Sequence, residues 1–517
     1  MRVTNSMISN SSRSHIANAK YELMKRENQY TTQKKILRPS DDPTIAIRSL
    51  QLRTTYSQIE QYADKNVKDA IEWMDTTDSA LEQIDKILTL MKPELSKGYN
   101  DYLGLEERHS VLSVLKEYSR AIFEDQANAD YSGRYMFTGY RTDTSLLFPN
   151  DVKNLEYEIK QKFTSNDIDT IKYVSGGASY NAGSSADDYA KQVPKQDTAY
   201  HLKLAYDNCA NSAITGAAAG TAAINIAFRT TSSSPAGATL PTMTVTTMAS
   251  TDAGADDFAN ILTGNATPPA TQFGALYLYD TGEIIFSSAI YSQIRENNLD
   301  FDITYNKKEF DKSDIRPEMY FECKSYNTDS KKTIPYRDPE GQKIQYEVNY
   351  SQLATVNTQA KDAINTEMYR AIDYLEKTIL KMDDIEKQIK DAETMIGNET
   401  DETKKADLEK LKEMLETEQR LQVGCMTEAF GKGLTMVAVC QQQINVALAD
   451  LGSRQKRVEM TYDQLSDQKI DTEEKLSENE DINIADAYIN LTQADNLYQA
   501  SLTATSKILG NSLLNYI

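Results

Sequence analysis

Three histidines, four cysteines and a few polar residues beside glycines are the side chains of this sequence that could do chemistry. His15, His109 and His201 stand far apart, and none falls in a His-Glu-x-x-His pattern that would put two ligands on one helix face. His15, in helical sequence, reads as an interface residue. Cys209, Cys323, Cys425 and Cys440 are scattered without a Cys-x-x-Cys pair, so they frame neither a metal site nor a disulfide scaffold. Cys425 and Cys440 fall in helical sequence and read as small core residues. Gly431-Lys432-Gly433 lacks the upstream glycine of a phosphate-binding loop. Gly176-Gly177 with Ser179 lacks the flanks of a nucleophile elbow and reads as a turn. The run from Asp252 to Asp257 lacks calcium-loop spacing and reads as solvated loop. Catalytic, cofactor-binding and metal-ligating residues are therefore expected to be absent, and the chain is not expected to be an enzyme.

What remains is architecture. From Ile45 to Met91 the apolar residues recur every three or four positions: Leu52, Tyr56, Ile59, Ala63, Val67, Ala70, Met74, Thr77, Leu81, Ile84, Leu88 and Met91. That is one stripe on a continuous helix, with Glu, Lys, Asp and Gln on its other faces. At 1.5 Å per residue such a helix is roughly 70 Å long and needs equally long partners to cover it. The lone tryptophan, Trp73, reads as a packing residue beside the stripe. Upstream, Ile16, Ala19, Leu23 and Tyr30 share a helix face. The turn motif Arg38-Pro39-Ser40-Asp41-Asp42-Pro43 separates the two helices, since its prolines cannot continue a helix. Adjacent Asp41 and Asp42 read as turn and N-cap, with Pro43 at the first helical position.

A second break is expected from Pro93 to Gly104, then a helix from about Glu106 to Asp130, then a short strand or hairpin around Tyr135–Tyr140. From about residue 150 to 349 the character changes: nine of the twelve prolines lie between Pro149 and Pro339, and Ala, Thr, Ser and Gly dominate from Ser212 to Thr271. Runs such as Ala275–Tyr279, Glu283–Phe286 and Ile344–Val348 read as strands. After Pro339, helical stripes return over residues 352–396 (Leu353, Val356, Ala360, then Leu375, Ile379, Met382 and on to Ile396), in a charged helix with Leu408, Leu411 and Leu415, and in a further helix with Ile444, Leu451, Val458 and Leu465. The last, Ile484–Ile517, carries Leu491, Tyr498, Leu502, Leu509, Leu513 and Ile517.

The net charge of -21 over 517 residues argues against nucleic acid and anionic membranes as partners. No run approaches twenty uninterrupted apolar residues, so no membrane insertion is expected. The start lacks the apolar core of a cleavable signal peptide, so export would use a route that does not read one.

The fold class expected is mainly α with a β-rich insertion: a long coiled-coil-like bundle formed by N- and C-terminal segments, plus a protruding β-rich outer domain. The divisions are 1–44 and 481–517 for an inner helical domain, 45–149 and 351–480 for a rod-like helical domain, and 150–350 for the outer domain. Candidate packing and assembly residues are Leu23, Leu52, Ile59, Trp73, Leu81, Leu491, Tyr498, Leu502, Leu509, Leu513 and Ile517.

The terminal residues resemble the flagellin superfamily, and within it the family of hook-associated protein 3, the second hook–filament junction proteins of bacterial flagella. The resemblance rests on Met1-Arg2-Val3-Thr4-Asn5, the turn motif 38–43, Trp73-Met74-Asp75-Thr76-Thr77, Phe137-Thr138-Gly139, Ala449-Asp450-Leu451-Gly452-Ser453-Arg454, Tyr498-Gln499-Ala500-Ser501-Leu502 and the ending Ser512–Ile517. The chain departs from the family in its length, with the surplus in residues 150–350 and 397–420, and in its cysteines. The resemblance implies a structural adaptor on the bacterial flagellum, exported unfolded by the flagellar type III system. It further implies residues 1–44 and the C-terminal helix disordered before assembly. The implied partners are copies of the chain in a ring, the first junction protein, flagellin, and an export chaperone on the C-terminal helix. Flagellin itself is the alternative within the superfamily. A binding or enzymatic module grafted at 150–350, or a coiled-coil scaffold, are the alternatives outside it.

Overall fold

Asp42 and Pro43 start the first long helical run, because the aspartate accepts the helix's free N–H groups and the proline has none to satisfy. The computed structural model describes residues 5–100, 102–177, 179–181, 183–215, 222–232, 234–235, 240–241, 243–250 and 273–514. Its first helices are α1 (Asn5–Thr32), α2 (Pro43–Gln61), α3 (Lys68–Gly98) and α4 (Leu105–Arg120). A hairpin of β1 (Asp130–Tyr131) and β2 (Arg134–Tyr135) leads to β3 (Leu155–Phe163), β4 (Asp169–Ser175), α5 (Ala186–Lys191), β5 (Lys195–Lys203), β6 (Ile224–Thr230), β7 (Thr244–Met248), β8 (Phe273–Leu278) and β9 (Glu283–Phe286). Then come α6 (Ser288–Glu296), β10 (Leu299–Lys307), α7 (Pro317–Tyr320), β11 (Glu322–Asn327), β12 (Lys332–Tyr336), β13 (Gln345–Asn349), β14 (Gln352–Thr355) and α8 (Ala360–Ala363). The chain finishes in α9 (Thr366–Asn398), α10 (Glu402–Glu480) and α11 (Ile484–Leu514). Helical ends around a β-rich insertion are as the sequence predicts.

The chain forms two units: residues 1–72, 346–354 and 455–517, and residues 73–345 with 355–454. In the first unit, α1 and α11 pack antiparallel, the end of α1 beside the start of α11, with the rings of Tyr30 and Tyr488 6.1 Å apart. Ala487 is buried there and Ala494 half-buried, and such small side chains let two helices approach closely.

The second unit holds two five-stranded sheets. One has the order β12-β11-β3-β10-β6 and is antiparallel throughout; the other has the order β4-β5-β9-β8-β7, with β7 parallel to β8. Strand β10 alternates inward Leu299, Phe301, Ile303 and Tyr305 with half-buried neighbours, the two-residue period of a strand with one face covered. Phe286 of the second sheet meets Phe301 of the first edge-on at 5.9 Å, so aromatic rings bridge the sheets. On the second sheet Ile171, Tyr173, Ala199, Leu276, Leu278 and Ile285 form a cluster against Tyr374 of α9. The charged stretch near 397–420 has a buried side too: Leu408, Leu411 and Leu415 of α10 close on Ala392 of α9 and Tyr189 of α5.

Four expectations change. The stripe from Ile45 to Met91 stays on one side, but a π-helical turn at Tyr62–Val67 interrupts the α-helix. Ile59, Ala63 and Val67 follow at two successive four-residue steps, which overshoot a 3.6-residue turn; the wider π turn absorbs the excess and keeps all three buried. Pro93 does not break its helix: α3 runs on to Gly98 with Pro93 inside, held by Met91 and Leu95, which are 3% and 2% exposed. Leu353 and Val356 are not helical. The β-branched Val356 donates its N–H to Ile344 O at 3.0 Å, and α9 starts at Thr366, capped by Asn365. The helices expected on either side of residue 420 are one helix of 79 residues, because none of the glycines between them takes a left-handed conformation.

An 18-residue window of α10 reaches a mean hydropathy of 1.2, enough by length and composition to cross a membrane although no uninterrupted apolar run is present. Cys425, Met426, Ala429, Phe430, Val437, Cys440 and Ile444 of that helix lie in the core of the second unit, and 39% of the window is buried.

Candidate assembly interface

The turn between α1 and α2 is built by its own side chains. Asp41 accepts the N–H groups of Leu37 at 3.2 Å and Arg38 at 3.0 Å. Asp42 accepts those of Thr44 at 2.9 Å and Ile45 at 3.2 Å, and Pro43 fills the first helical position. The two carboxylates thus hold successive pieces of backbone, and Arg38, Pro39 and Ser40 are exposed. Gln33 ends α1 in a left-handed conformation with φ 57°.

This turn is fastened to the break between α10 and α11. Lys35 N–H donates to Glu480 O at 2.7 Å, and Ile482 N–H donates to Gln33 O at 3.0 Å. The Glu480 side chain is 7% exposed and receives four donors. Arg53 of α2 donates Nε to Oε1 and a terminal N–H to Oε2, both at 2.7 Å, in a bidentate pair. Ser49 Oγ donates to Oε1 at 2.7 Å, and Lys34 Nζ to Oε2 at 3.3 Å. These bonds, Arg53's first, hold the Glu480 carboxyl down at about 2. Lys34 also pairs with Asp481 at 2.5 Å, which raises the Lys34 ammonium and lowers the Asp481 carboxyl. Asn479 closes the node with bonds to Ile45 O at 3.1 Å and Ser49 Oγ at 3.2 Å.

Around this node the unit leaves large apolar side chains uncovered. On α1, Tyr21 and Met24 are exposed; on α2, Ile47 and Leu50; on α11, Ile484, Tyr488, Ile489, Leu497 and Leu502. Exposed large apolar side chains thus recur on three helices of the first unit.

The sequence-predicted packing residues fall in different settings. Ile59 is 7% exposed, Leu52 and Leu23 are half-buried, Leu491 and Tyr498 are half-buried, and Leu502 is 41% exposed. Trp73 and Leu81 belong to the second unit and are buried. The side chains of Leu509 and Leu513, and Ile517 altogether, lie outside the described residues, as do Met1–Thr4 and the 252–257 loop. Trp73 meets Tyr131 edge-on at 6.1 Å and lies 4.8 Å beneath the Arg134 guanidinium. Thr77 donates to Trp73 O at 2.9 Å and touches Met136 Sδ, which ties the 73–77 motif to the hairpin. The neighbouring turn needs Gly139 at φ 62°, and Thr138 Oγ1 bonds both Tyr135 O and Arg141 O there. Arg454 of the 449–454 motif donates to Thr355 O, Asn357 O and Thr358 Oγ1.

The histidines have separate surroundings. His15 bonds Ser11 on exposed α1, and His109 bonds Asp383 at 2.9 Å. His201 is buried 3.5 Å from Glu283, which also takes Lys377 at 2.8 Å. Burial opposes the Glu283 charge, yet His201 and Lys377 hold its carboxyl well below the usual range. All four cysteines are buried free thiols; burial pushes Cys209 up to about 11 and Cys440 to about 12. Among the described residues no group of three or more His, Cys, Asp or Glu is placed to hold a metal ion.

Sequence reasoning missed Glu480 and its partners. A signal was present: Lys34-Lys35 stands at the first helix break and Glu480-Asp481 at the last, opposite charges at matching positions.

With this geometry in view, comparison with known proteins places the ends. The bacterial flagellin N-terminal helical region matches residues 3–142, and the bacterial flagellin C-terminal helical region matches residues 434–517. Both ends of the chain thus match flagellin helical regions. The chain is also similar to flagellar hook-associated protein 3. It is 26% identical to that protein of Salmonella typhimurium over 172 residues, which are 33% of this chain and 53% of the relative. With hook-associated protein 3 of Escherichia coli it shares 26% over 145 residues, 28% of this chain and 45% of the relative. The chain spans about half the length of these curated relatives. The crystal structure of FlgL from Xanthomonas campestris aligns with 83% of this chain and 99% of its own at 9% identity and a TM-score of 0.30.

Proposed function

We propose that this chain is a structural adaptor that joins the hook of a bacterial flagellum to its filament. The observation that carries the reading is the pairing of flagellin-type helices at the two ends of one chain, with apolar side chains left open on α1, α2 and α11. Such a surface is completed by neighbours in an assembly. On this reading residues 1–44 and 481–517 form the inner part of the assembled tube, 45–149 and 351–480 the rod, and 150–350 the outward part. The partners are copies of the chain in a ring, the first junction protein on the hook side and flagellin on the filament side. A flagellar export chaperone binds α11 before assembly. Leu23, Leu52, Ile59, Leu491, Tyr498 and Leu502 supply helix contacts within or between subunits, and Trp73 and Leu81 hold the rod. The chain works on the flagellum outside the cell, having left by the flagellar type III route, and it catalyses no reaction.

Deleting the gene tests the reading. Cells that keep hooks, lack filaments and release unpolymerised flagellin into the medium support a junction adaptor. Filaments that persist overturn it, and a fall in filament mass with the junction intact would point to flagellin itself, the name carried by both matching regions.

A further inference from the structure

We propose that Lys307 and Asp314 close on each other to a side-chain amide bond once the second unit has folded. The inference does not rest on the flagellar reading. Lys307 is the last residue of β10, and its side chain is 1% exposed. Its ammonium lies 5.3 Å from the centre of the Phe310 ring and 5.6 Å from that of Tyr206. Three oxygens are within reach of Nζ: Asp207 O at 2.8 Å, Asp314 Oδ2 at 3.4 Å and Asp207 Oδ1 at 3.7 Å. A buried ion pair among aromatic rings is costly to keep charged. Moving one proton from the ammonium to a carboxylate leaves a neutral amine, a nucleophile, beside a carboxylic acid, an electrophile.

Asp314 is prepared as the acid. Its side chain is 10% exposed, and burial, with Asp207 adding to it, holds its carboxyl above the usual range against the pull of Lys307, the Asp311 N–H and Tyr369. Tyr369 of α9 donates its hydroxyl to Oδ1 at 3.2 Å, and the Asp311 N–H donates to Oδ2 at 3.1 Å. These donors stabilise the charge that gathers on the carboxyl oxygens as the nitrogen adds to Cγ. Asp207 is the second carboxylate: it takes a proton from Lys307 and returns it to the departing oxygen. The N–C bond forms, one C–O bond of Asp314 breaks, and the oxygen leaves as water with two protons from the ammonium. Nothing is oxidised or reduced. Asp207 lies 100 positions from Lys307, and Tyr369 lies 55 from Asp314, so only the folded chain assembles the groups and holds the amine against the carboxyl. The segment that carries Asp314 also pairs with the stretch by which the chain enters the sheets: Phe310 exchanges backbone bonds with Val152 at 2.8 and 3.0 Å, and Asp314 O accepts the Phe148 N–H at 2.9 Å. The amide therefore ties the end of β10 to that entry.

The intact mass of the full chain, purified at pH 7.5 and measured in denaturing solvent, tests this. The wild type is expected to be lighter than its sequence by one water molecule. Trypsin cuts after Lys308 and Lys312, so the digest is expected to hold a peptide ending in Lys308 joined to one beginning at Ser313. Lys307→Arg keeps a cation in the site without the amine, and Asp314→Ala removes the carboxyl; both are expected at full mass. Asp207→Asn keeps the two joining groups and removes the proton acceptor, so closure is expected to slow about a hundredfold, leaving full-mass protein that loses water on standing. A wild-type chain at full mass overturns the proposal. So does a water loss that survives in Lys307→Arg or Asp314→Ala, a joined peptide that places the bond at Asp207, or a water loss without any joined peptide, as succinimide formation would give. An Asp207→Asn chain that closes as fast as the wild type overturns the part given to Asp207.

Discussion

Lys35 donates its backbone N–H to the carbonyl oxygen of Glu480 at 2.7 Å, although most of the chain lies between them. Around that bond the side chains of Lys34, Ser49, Arg53 and Asn479 converge, and the first unit is closed from its two ends.

The charges of this node set a pH window. Glu480 and Asp481 are lowered in the folded chain, so their contribution is present above the ordinary carboxylate range and is lost as pH falls, for Glu480 toward about 2. Lys34 is raised, so its contribution is full below the ordinary lysine value of 10.5 and is lost as pH rises through its folded value. The node between the two connections, residues 33–42 and 481–483, and α2 is expected to hold from about pH 5 to pH 10 and to weaken below about 4.5. Pepsin cleavage at stepped pH below about 5 checks the acid side: cuts in the connections 33–42 and 481–483 appear before cuts in the sheets, and Glu480→Gln removes most of the step.

Leu81 and Leu502 separate stability from assembly. Leu81 is fully buried, so Leu81→Ala is expected to cost about 2–5 kcal/mol in denaturant unfolding of the second unit. Leu502 is 41% exposed, so Leu502→Asp changes that stability by less than about 0.5 kcal/mol. On the proposed function it abolishes incorporation into flagella. Normal incorporation of the Leu502→Asp chain would remove α11 from the assembly surface.

A methyl group added at Gly98 would overlap the buried Phe430 ring. Gly98→Ala is expected to destabilise the second unit by about 1–3 kcal/mol, and Phe430→Leu in the same chain should restore part of the loss. A thermal melt of the three variants reads both effects.

Burial raises all four thiols, so the native chain should react with a maleimide at pH 7.5 at least a hundredfold more slowly than the unfolded chain. Mass spectrometry counts the labels; fast labelling of any one cysteine in the native chain contradicts its buried position.

Asp42→Ala removes the carboxylate that caps α2 and is expected to cost about 1 kcal/mol in the first unit, with Asp42→Asn nearly neutral. Comparing the urea midpoints of the two variants distinguishes the cap from a simple loss of charge.

The periodic residues of the long helices were legible because packing, not local preference, chose them: Val67, Leu81 and Leu88 are buried where the stripe puts them. The Asp42-Pro43 start was legible because capping is local chemistry. Pro93 misled, since tertiary contacts through Met91 and Leu95 outweigh one missing hydrogen bond. Leu353 and Val356 misled in the other direction, because short apolar spacings fit either a strand or a helix. The order of the sheets was not legible: β3 pairs with β10 and β11, and nothing in Leu155–Phe163 names partners so far away. The Glu480 node was hidden for the same reason, its donors being dispersed over α2 and the first connection.

The antiparallel contact of α1 with α11 also governs when the molecule can finish folding. The sheets and α9 close loops within the second unit, whereas α1 waits for the last helix of the chain. Loop closure itself grows slowly with length, about 0.6 kcal/mol for each doubling, so the delay comes from the order of synthesis more than from entropy. Until α11 emerges, α1 has no mate and its apolar face stays exposed to whatever holds it. A chain still on the ribosome therefore has its two closing pieces apart, and the docking of α1 on α11 is the last contact it can make.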